Sequence, residues 1–227
     1  MSASPLDLAF LTHLDGVTEV VLVRHGQQDV DPATARSSDW VDPPLSEIGQ
    51  RQAEVVAEHL RLRRPDAVYT SALQRARVTG LVIAEHHGLE PIVEEHLAEI
   101  GTFSRLPEGK EPADVLTEEE LRLVRERFVR ERSWDVYPYG EPSAEFRRRV
   151  LDAFDAIAAR HQGGYVVVAC HGGVINALAS RVAASPADMI FRPAHASVHR
   201  FRHLDGTWAI DRLNEAHHLE AAGILTH

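Results

Sequence analysis

Two histidines in this chain each lie directly after an apolar run and directly before glycine. Arg24-His25-Gly26 follows the run Val20–Val23, and His171-Gly172-Gly173 follows the run Tyr165–Cys170. A neutral imidazole nitrogen can attack phosphorus, and a guanidinium group matches phosphate oxygens. Short apolar runs predict buried strands, and open α/β sheets usually bind ligands at the carboxyl ends of their strands. The two segments therefore predict one site for phosphoryl chemistry. The alternative is that His25 is a structural histidine.

A second arginine for such a site lies in the segment Ser71–Gly80, which follows a predicted short strand. The start of the helix predicted there points toward the same edge of the sheet, and its backbone amides favour an anion. Arg75 is the better candidate, and Arg77 is expected to face elsewhere on the helix. The alternative is that Arg75 is a plain surface charge.

The elements that must position these residues alternate between strand and helix. The predicted strands are 20–23, 67–69, 91–93 and 165–170. The predicted helices are about 46–63, 72–86, 117–132, 143–161 and 174–183. Two further alternating segments, 197–202 and 208–213, are predicted to form a hairpin across Asp205-Gly206. This order predicts an α/β fold, a three-layer α/β/α sandwich with a mainly parallel central sheet.

Hydroxyl side chains mark several of the predicted helix starts. Ser46 and Ser143 are each predicted to cap a helix, and Thr117 with Glu120 matches a capping box. The buried stripe of the helix that Ser46 begins is expected to comprise Ile48, Val55, Val56 and Leu60.

The segment 101–142 is charged and rich in proline and glycine. It is interpreted as an inserted lid over the sheet, so that residues 1–227 form a single domain. The alternative is an ordinary solvated helix that covers nothing.

The chain resembles the histidine phosphatase superfamily, also called the phosphoglycerate mutase-like family. Five motifs, which follow one another in the expected order, carry this resemblance. The resemblance runs from about residue 18 to residue 215. The motifs are Arg24-His25-Gly26, Asp42-x-Pro44-Leu45-Ser46-x-x-Gly49-x-x-Gln52-Ala53, Ser71-x-Leu73-x-Arg75-Ala76-x-x-Thr79, Gly140-Glu141-Pro142-Ser143 leading to Arg149-Val150, and His171-Gly172-Gly173.

The resemblance implies a role for each matching residue. His25 would attack phosphorus and become phosphohistidine, and Arg24, Arg75 and His171 would bind the phosphoryl oxygens. Arginines beside His25 also disfavour its cationic form, which keeps it ready to attack. Gly172 belongs to the same phosphate-binding set.

The family's proton donor usually lies after the third strand, in a leucine-x-glutamate setting before a glycine. Leu97–Gly101 fits that setting, so Glu99 is the predicted donor to the leaving oxygen. Glu94, Glu95 and Asp114 are the alternatives.

The chain departs from the family pattern just after the first motif. Asp31 stands where the family often has an asparagine, and a carboxylate beside a phosphate is unfavourable. Asp31 is therefore expected to turn away, or Gln27 or Gln28 to supply the neutral donor. Gln27 is the choice for the phosphate-binding set.

The segment 101–142 bears on the choice between a phosphatase and a mutase. A bisphosphoglycerate-dependent phosphoglycerate mutase would need extra basic residues there. Its arginines are instead interleaved with acids such as Glu118–Glu120, Glu126 and Glu131, as in a solvated helix with ion pairs. The segment is also short for a mutase. The prediction is a phosphatase without metal or cofactor, acting on a small phosphorylated metabolite. A third alternative is a non-catalytic phosphate-binding protein on the same fold.

Five histidines near the end of the chain raise the question of a metal site. On a strand, these side chains would lie too far apart to share a metal ion. Structural or substrate-facing roles are therefore favoured. His195 is a candidate substrate contact near the mouth of the site. The five are His195, His199, His203, His217 and His218.

Composition narrows the remaining classes. The 227 residues are 44% hydrophobic, enough for a sizeable core, and the net charge of −10 disfavours nucleic acid and anionic membranes as partners. The single cysteine, Cys170, excludes an internal disulfide and favours a reducing compartment, so a cytoplasmic location is predicted. Residues 1–16 do not resemble a signal peptide. The expected partner is a small phosphorylated substrate, with a homodimer as an open alternative to a monomer.

Overall fold

The computed structural model describes residues 3–31 and 36–227. Its six strands are β1 Thr18–Arg24, β2 Ala67–Thr70, β3 Ile92–Val93, β4 Tyr165–Cys170, β5 Val198–Leu204 and β6 Thr207–Glu215. Its eight α-helices are α1 Pro5–Phe10, α2 Glu47–Leu60, α3 Gln74–His86, α4 Pro112–Val115, α5 Glu118–Glu131, α6 Ser143–Arg160, α7 Gly172–Val182 and α8 His217–Ala221. Within the described ranges, no helix combines the length and the apolar composition that crossing a bilayer requires.

All six strands form one sheet in the order β3-β2-β4-β1-β5-β6. The first four strands of that order are parallel to one another, and β5 and β6 run antiparallel at one edge. Asp205 and Gly206 join β5 to β6 with φ angles of 47° and 80°. Positive φ at both central residues matches the right-handed twist of a hairpin. The predicted α/β class, the mainly parallel sheet and the hairpin are confirmed.

Helices cover both faces of the sheet because successive strand residues point to opposite sides. Val20 and Leu22 of β1 belong to the core beneath α6 and α7, whereas Val21 and Val23 belong to the core beneath α2, α3 and α8. β4, which is buried along its whole length, separates the two cores. The three-layer arrangement is confirmed.

Two details of the predicted helices are wrong. Ile48 is 40% exposed, because α2 buries the stripe that contains Gly49, Gln52 and Ala53. Ser143 does not cap α6: it is the first helical residue after the N-cap Pro142. Its hydroxyl instead donates to Asp188 Oδ2 at 2.6 Å.

The other predicted caps are confirmed. Ser46 Oγ accepts a hydrogen bond from the Gly49 amide at 3.1 Å. Thr117 and Glu120 bond reciprocally at the start of α5.

The segment 101–142 leaves the sheet and returns to the same place. Its two ends meet where the Glu141 amide donates to the Gly101 carbonyl at 2.9 Å. Arg149 of α6 holds both ends, since it bonds the carbonyls of His96 and Ala98 as well as the carboxylate of Glu141. The segment is thus an excursion from the sandwich, and this clamp also fixes the stretch that leads into Glu99.

Within that segment, α5 is a mostly solvated helix. Val124 is its one buried residue. Arg122 pairs with Glu119 at 2.5 Å, and Arg127 pairs with Glu131 at 3.1 Å. An aromatic cluster packs beneath the end of α5, formed by Phe103, Phe128, Trp134 and Tyr137.

Candidate active site

The register of two neighbouring strands places the two predicted histidines side by side. Arg24 ends β1 opposite Cys170, which ends β4, so His25 and His171 leave the sheet at the same edge. Their ring centroids are 5.1 Å apart. Both side chains are buried, at 3% and 0% exposure. The structure therefore brings together two residues that lie far apart in the sequence.

The hydrogen bonds of His25 fix which ring nitrogen carries its hydrogen. Nδ1 lies 2.7 Å from the carbonyl oxygen of Gly26, which can only accept, so the hydrogen is on Nδ1. Nε2 then carries the lone pair, which accepts a hydrogen bond from Arg75 Nε at 3.3 Å. Burial, followed by the charges of His171, Arg75 and Arg24, holds the pKa of His25 well below its usual range. His25 is a neutral imidazole with its lone pair on Nε2, the form that attacks phosphorus.

His171 is held by Ser71, which follows β2. The Nε2 atom of His171 and the Ser71 hydroxyl are 2.8 Å apart. Its Nδ1 atom is buried and has no hydrogen-bond partner within the described residues. Burial and the nearby Arg75 and Arg24 lower the pKa of His171 well below its usual range. The second histidine is thus also neutral near pH 7.

Two buried guanidinium groups supply positive charge to the site. Arg24 donates to the Pro193 carbonyl at 2.5 Å, and its Nε atom is buried without a partner within the described ranges. Burial lowers the pKa of Arg24 to about 10, against the opposing effect of Glu99, so the group stays charged at neutral pH. Arg75 is 6% exposed and lies 3.8 Å from Asp42. The exposed Arg77 faces away from the site, as expected.

Glu99 faces the same site and is held by two backbone amides. Its Oε2 atom accepts from Gly173 at 3.0 Å, and its Oε1 atom accepts from Ile100 at 3.0 Å. A Cβ atom on Gly173 would lie 2.4 Å from Glu99 Oε1, so this close approach requires glycine. A Cβ atom on Gly172 would lie 3.8 Å from Arg24 and 3.9 Å from Glu99. Gly172 therefore borders the predicted proton donor and one of the predicted phosphate ligands.

Two of the three alternative acids are engaged in helix caps, and the third is exposed. Glu94 accepts from the His96 amide at 3.2 Å and caps a short 3-10 helix. Asp114 accepts from the Glu111 amide at 2.9 Å at the start of α4. Glu95 is exposed on the same 3-10 helix.

The backbone after His25 is packed against α2 so closely that two glycines are needed. A Cβ atom on Gly26 would lie 2.3 Å from the Gly49 carbonyl, and one on Gly49 would lie 2.0 Å from the Gln27 carbonyl. The Gly26 amide donates to Thr79 Oγ1 at 3.1 Å. These contacts give Gly49 and Thr79, which belong to two of the motifs, a common role, since both position the loop that carries His25.

The departure from the family pattern is resolved in part. Asp31 is exposed. Gln27 is half-buried, and its side-chain oxygen accepts from the Ser46 hydroxyl at 2.9 Å. That bond orients the amide so that its NH₂ group is the end that can donate to a ligand. The Gln28 oxygen is buried without a partner within the described residues.

Two buried side-chain amides to which the sequence assigned no role support the site. Asn176 of α7 accepts from the amides of Ile190 and Phe191 and donates to the carbonyls of Gly172 and Phe191. It thereby ties the loop that contains Pro193 to the helix that follows His171. Gln52 of α2 plays a comparable part on the other side. An amide within an otherwise apolar helix face is the signal that could have revealed both residues.

The late histidines lie on different elements, and only part of this placement follows the predicted strand pattern. His199 and His203 lie on β5, and His217 and His218 lie on α8. Across residues 3–31 and 36–227, no group of three or more histidines, cysteines and acids is placed to hold a metal ion. His195 alone of the five approaches the site, with its ring centroid 5.8 Å from that of His25.

Cys170 does not qualify as a nucleophile. It is fully buried at the end of β4. Burial, followed by the charge of Glu99, raises the pKa of its thiol far above the usual range, so it stays protonated.

Comparison with known proteins identifies the family. The profile of the histidine phosphatase superfamily (branch 1) matches residues 20–216. The chain belongs to this superfamily. A metal-independent phosphoserine phosphatase of Arabidopsis thaliana is 35% identical over 213 residues, which cover 92% of this chain and 86% of the relative. Phosphoserine phosphatase 1 of Hydrogenobacter thermophilus is 32% identical over 163 residues, covering 68% of this chain and 71% of the relative.

Solved structures agree with that assignment. A mycobacterial glucosyl-3-phosphoglycerate phosphatase superimposes with a TM-score of 0.70 at 25% identity, covering 88% of this chain and 99% of the other. The predicted membership of this superfamily and the predicted phosphatase class are confirmed.

Proposed function

We propose that the protein hydrolyses a small phosphomonoester through a phosphohistidine formed at His25, without a metal. The observation that carries this proposal is the state of His25. Its Nδ1 hydrogen is engaged by the Gly26 carbonyl, which leaves the Nε2 lone pair beside a buried arginine.

In the first step, the Nε2 lone pair forms a bond to phosphorus while the bond between phosphorus and the ester oxygen breaks. The electron pair of that bond goes to the leaving oxygen, which takes a proton from Glu99. Arg24, Arg75 and His171 bind the phosphoryl oxygens as charge redistributes. Phosphoryl transfer depends mainly on such positioning and charge stabilisation.

In the second step, water attacks phosphorus and the bond to Nε2 breaks, which restores the His25 lone pair. Glu99 takes a proton from the attacking water. The product is inorganic phosphate. The backbone clamp from Gly173 and Ile100 keeps the carboxyl group in one place for both proton transfers.

Two further groups complete the proposed phosphate shell. Gly172 begins α7, and amides in the first turn of a helix have no acceptor within that helix, so they favour an anion. Gln27 contributes its side-chain NH₂ group, which the Ser46 bond orients.

The paired arginines of α5 favour a phosphatase over a mutase. Arg122 and Arg127 are engaged by Glu119 and Glu131 of the same helix. They are therefore poor ligands for a second phosphate group. The mutase is kept as the second candidate because a phosphoglycerate mutase-like protein of Arabidopsis thaliana is 32% identical over 212 residues.

The decisive experiment compares hydrolysis by the wild type and by His25→Ala. The substrates are phosphoserine, 3-phosphoglycerate and p-nitrophenyl phosphate, each with and without a chelator. We expect chelator-resistant hydrolysis and a radiolabelled phosphohistidine in the wild type alone. Interconversion of phosphoglycerates that depends on bisphosphoglycerate would favour the mutase, and phosphate binding without turnover or label would favour a binding protein.

We also propose that the chain works as one domain in which the segment 101–142 acts as a lid.

Light scattering of the purified protein will distinguish a monomer from the homodimer. The net charge of −10 disfavours nucleic acid as a partner, whereas the buried Arg24 and Arg75 favour a small anion in a local basic pocket.

A further inference from the structure

His195 is buried beside the proposed nucleophile, although the proposed reaction gives it no task. It is 4% exposed. Its position comes from the backbone where β5 meets β1: the Ala196 amide donates to the His25 carbonyl at 3.2 Å, and the Arg24 amide donates to the Ser197 carbonyl at 3.1 Å. Its ring centroid is 5.8 Å from that of His25, little more than the distance for His171.

A chain of hydrogen bonds leads from the loop after His25 to this ring. The Gln27 amide donates to Gln52 Oε1 at 2.8 Å, which fixes the orientation of the Gln52 amide group. Gln52 Nε2 then donates to the Ile224 carbonyl at 2.7 Å and to Thr226 Oγ1 at 2.9 Å. Thr226 Oγ1 lies 2.9 Å from His195 Nδ1.

The order of donors in this chain favours one tautomer of His195. Thr226 Oγ1 already accepts from Gln52, and its own hydrogen has one acceptor within the described residues, His195 Nδ1. If the hydroxyl donates to Nδ1, the imidazole hydrogen must lie on Nε2. That Nε2 atom is buried and has no partner among residues 3–31 and 36–227.

A buried N–H group without an acceptor is costly, so it is rarely retained without a use. Burial, followed by the charges of Arg24 and Arg192, lowers the pKa of His195 to about 3. The ring is therefore a neutral donor across the physiological range, and it can donate without adding charge to the pocket.

We propose that His195 Nε2–H donates a hydrogen bond to a phosphoryl oxygen, as a third imidazole of the site, and that Thr226 and Gln52 are positioning residues that hold it in the donating tautomer. This inference rests on the proposed function and adds residues to it. It also makes the end of the chain, which supplies Thr226, part of the active site.

The test compares His195→Phe with His199→Phe. His199 is a matched control because it is also a buried imidazole on the same stretch of chain, but both of its nitrogens are engaged, by Ser197 and by the Asn214 amide. His195→Phe should lose about ten- to a hundredfold in kcat/KM for p-nitrophenyl phosphate and in affinity for orthovanadate, as expected for a hydrogen bond to a charged group. His195→Gln, which keeps an N–H donor, should recover part of that loss. Equal losses in His195→Phe and His199→Phe would overturn the proposal.

A second measurement starts from the wild-type protein. In a long-range proton–nitrogen correlation spectrum of the wild type, His195 should show its hydrogen on Nε2, and that signal should move when orthovanadate binds. A hydrogen on Nδ1, or an unmoved signal, would overturn the proposal. Thr226→Val should mix the two tautomers and Thr226→Ser should restore the single one, whereas a merely structural role would leave the tautomer unchanged.

The two readouts separate this inference from the proposed function. A wild type that hydrolyses no phosphomonoester would refute the phosphatase. The vanadate-dependent signal would still report whether His195 contacts a phosphoryl-like ligand. A working phosphatase with an unaffected His195→Phe variant would refute the inference alone.

Discussion

Acid should destabilise this protein well before its carboxylates titrate, because several imidazoles are buried in the neutral form. Burial lowers the pKa of both His195 and His199 to about 3, and it lowers the pKa values of His25 and His171 in the same direction. A histidine in the unfolded chain has a pKa of about 6.5. The unfolded state therefore binds more protons than the folded state between these values. Stability rises with pH across that window and is lost as the pH falls below about 6.5.

The part of the loss that comes from His195 and His199 follows from their lowered pKa values of about 3. At about pH 5, each unfolded histidine is mostly protonated while the buried one is neutral, so each costs about 2 kcal/mol relative to about pH 7.5. His195 and His199 together should thus lower the free energy of unfolding by about 4 kcal/mol, and His25 and His171 add to the loss. Domains of this kind are stable by only about 5–15 kcal/mol.

The assay is urea unfolding at about pH 7.5 and about pH 5, with the difference in unfolding free energy as the readout. His199→Phe serves as the test variant because it removes one buried imidazole without touching the proposed phosphate site. Its pH-dependent loss should be smaller than that of the wild type by about 2 kcal/mol, whatever its stability at neutral pH. A variant that loses as much as the wild type would refute the reasoning.

The remaining predictions concern the chemical steps. His25→Ala should abolish turnover while circular dichroism shows an unchanged fold, and substantial residual hydrolysis would contradict the phosphohistidine route. Glu99→Gln should slow hydrolysis of an alkyl phosphate by about 10²–10⁴-fold but affect p-nitrophenyl phosphate far less, since that leaving group needs no proton; equal losses on both substrates would argue against proton donation. Gly173→Ala should reduce kcat as Glu99→Gln does, because the added Cβ atom would lie 2.4 Å from the Glu99 carboxyl group. The double variant should lose little more activity than either single variant.

The parts of the fold that could be predicted from sequence are those with local causes. The apolar runs that end at Arg24 and Cys170 define strands, and Asp205-Gly206 defines a hairpin, because each pattern acts over a few residues. The same locality placed His25 and His171 at the sheet edge. Parallel neighbouring strands then brought them together.

The predictions that were wrong, and the link that was not predicted, depend on contacts between distant segments. Ile48 fits a helical stripe, but α2 turns Gly49 and Gln52 inward because the loop after His25 packs against them. Ser143 has the chemistry of an N-cap, but Asp188, far along the chain, takes its hydroxyl. The link from Gln52 through Thr226 to His195 involves three distant segments, so no local pattern could have revealed it.

The pairing of β1 has a consequence for how the chain is made. β1 contacts only β4 and β5 as sheet neighbours, and these begin at Tyr165 and Val198. At about 5–20 residues per second, the ribosome needs on the order of ten seconds or more to deliver those partners after β1 emerges. During that interval β1, an apolar segment of the nascent polypeptide, has no strand with which to pair. Productive folding of the protein in the cell should therefore be sensitive to the supply of holding chaperones.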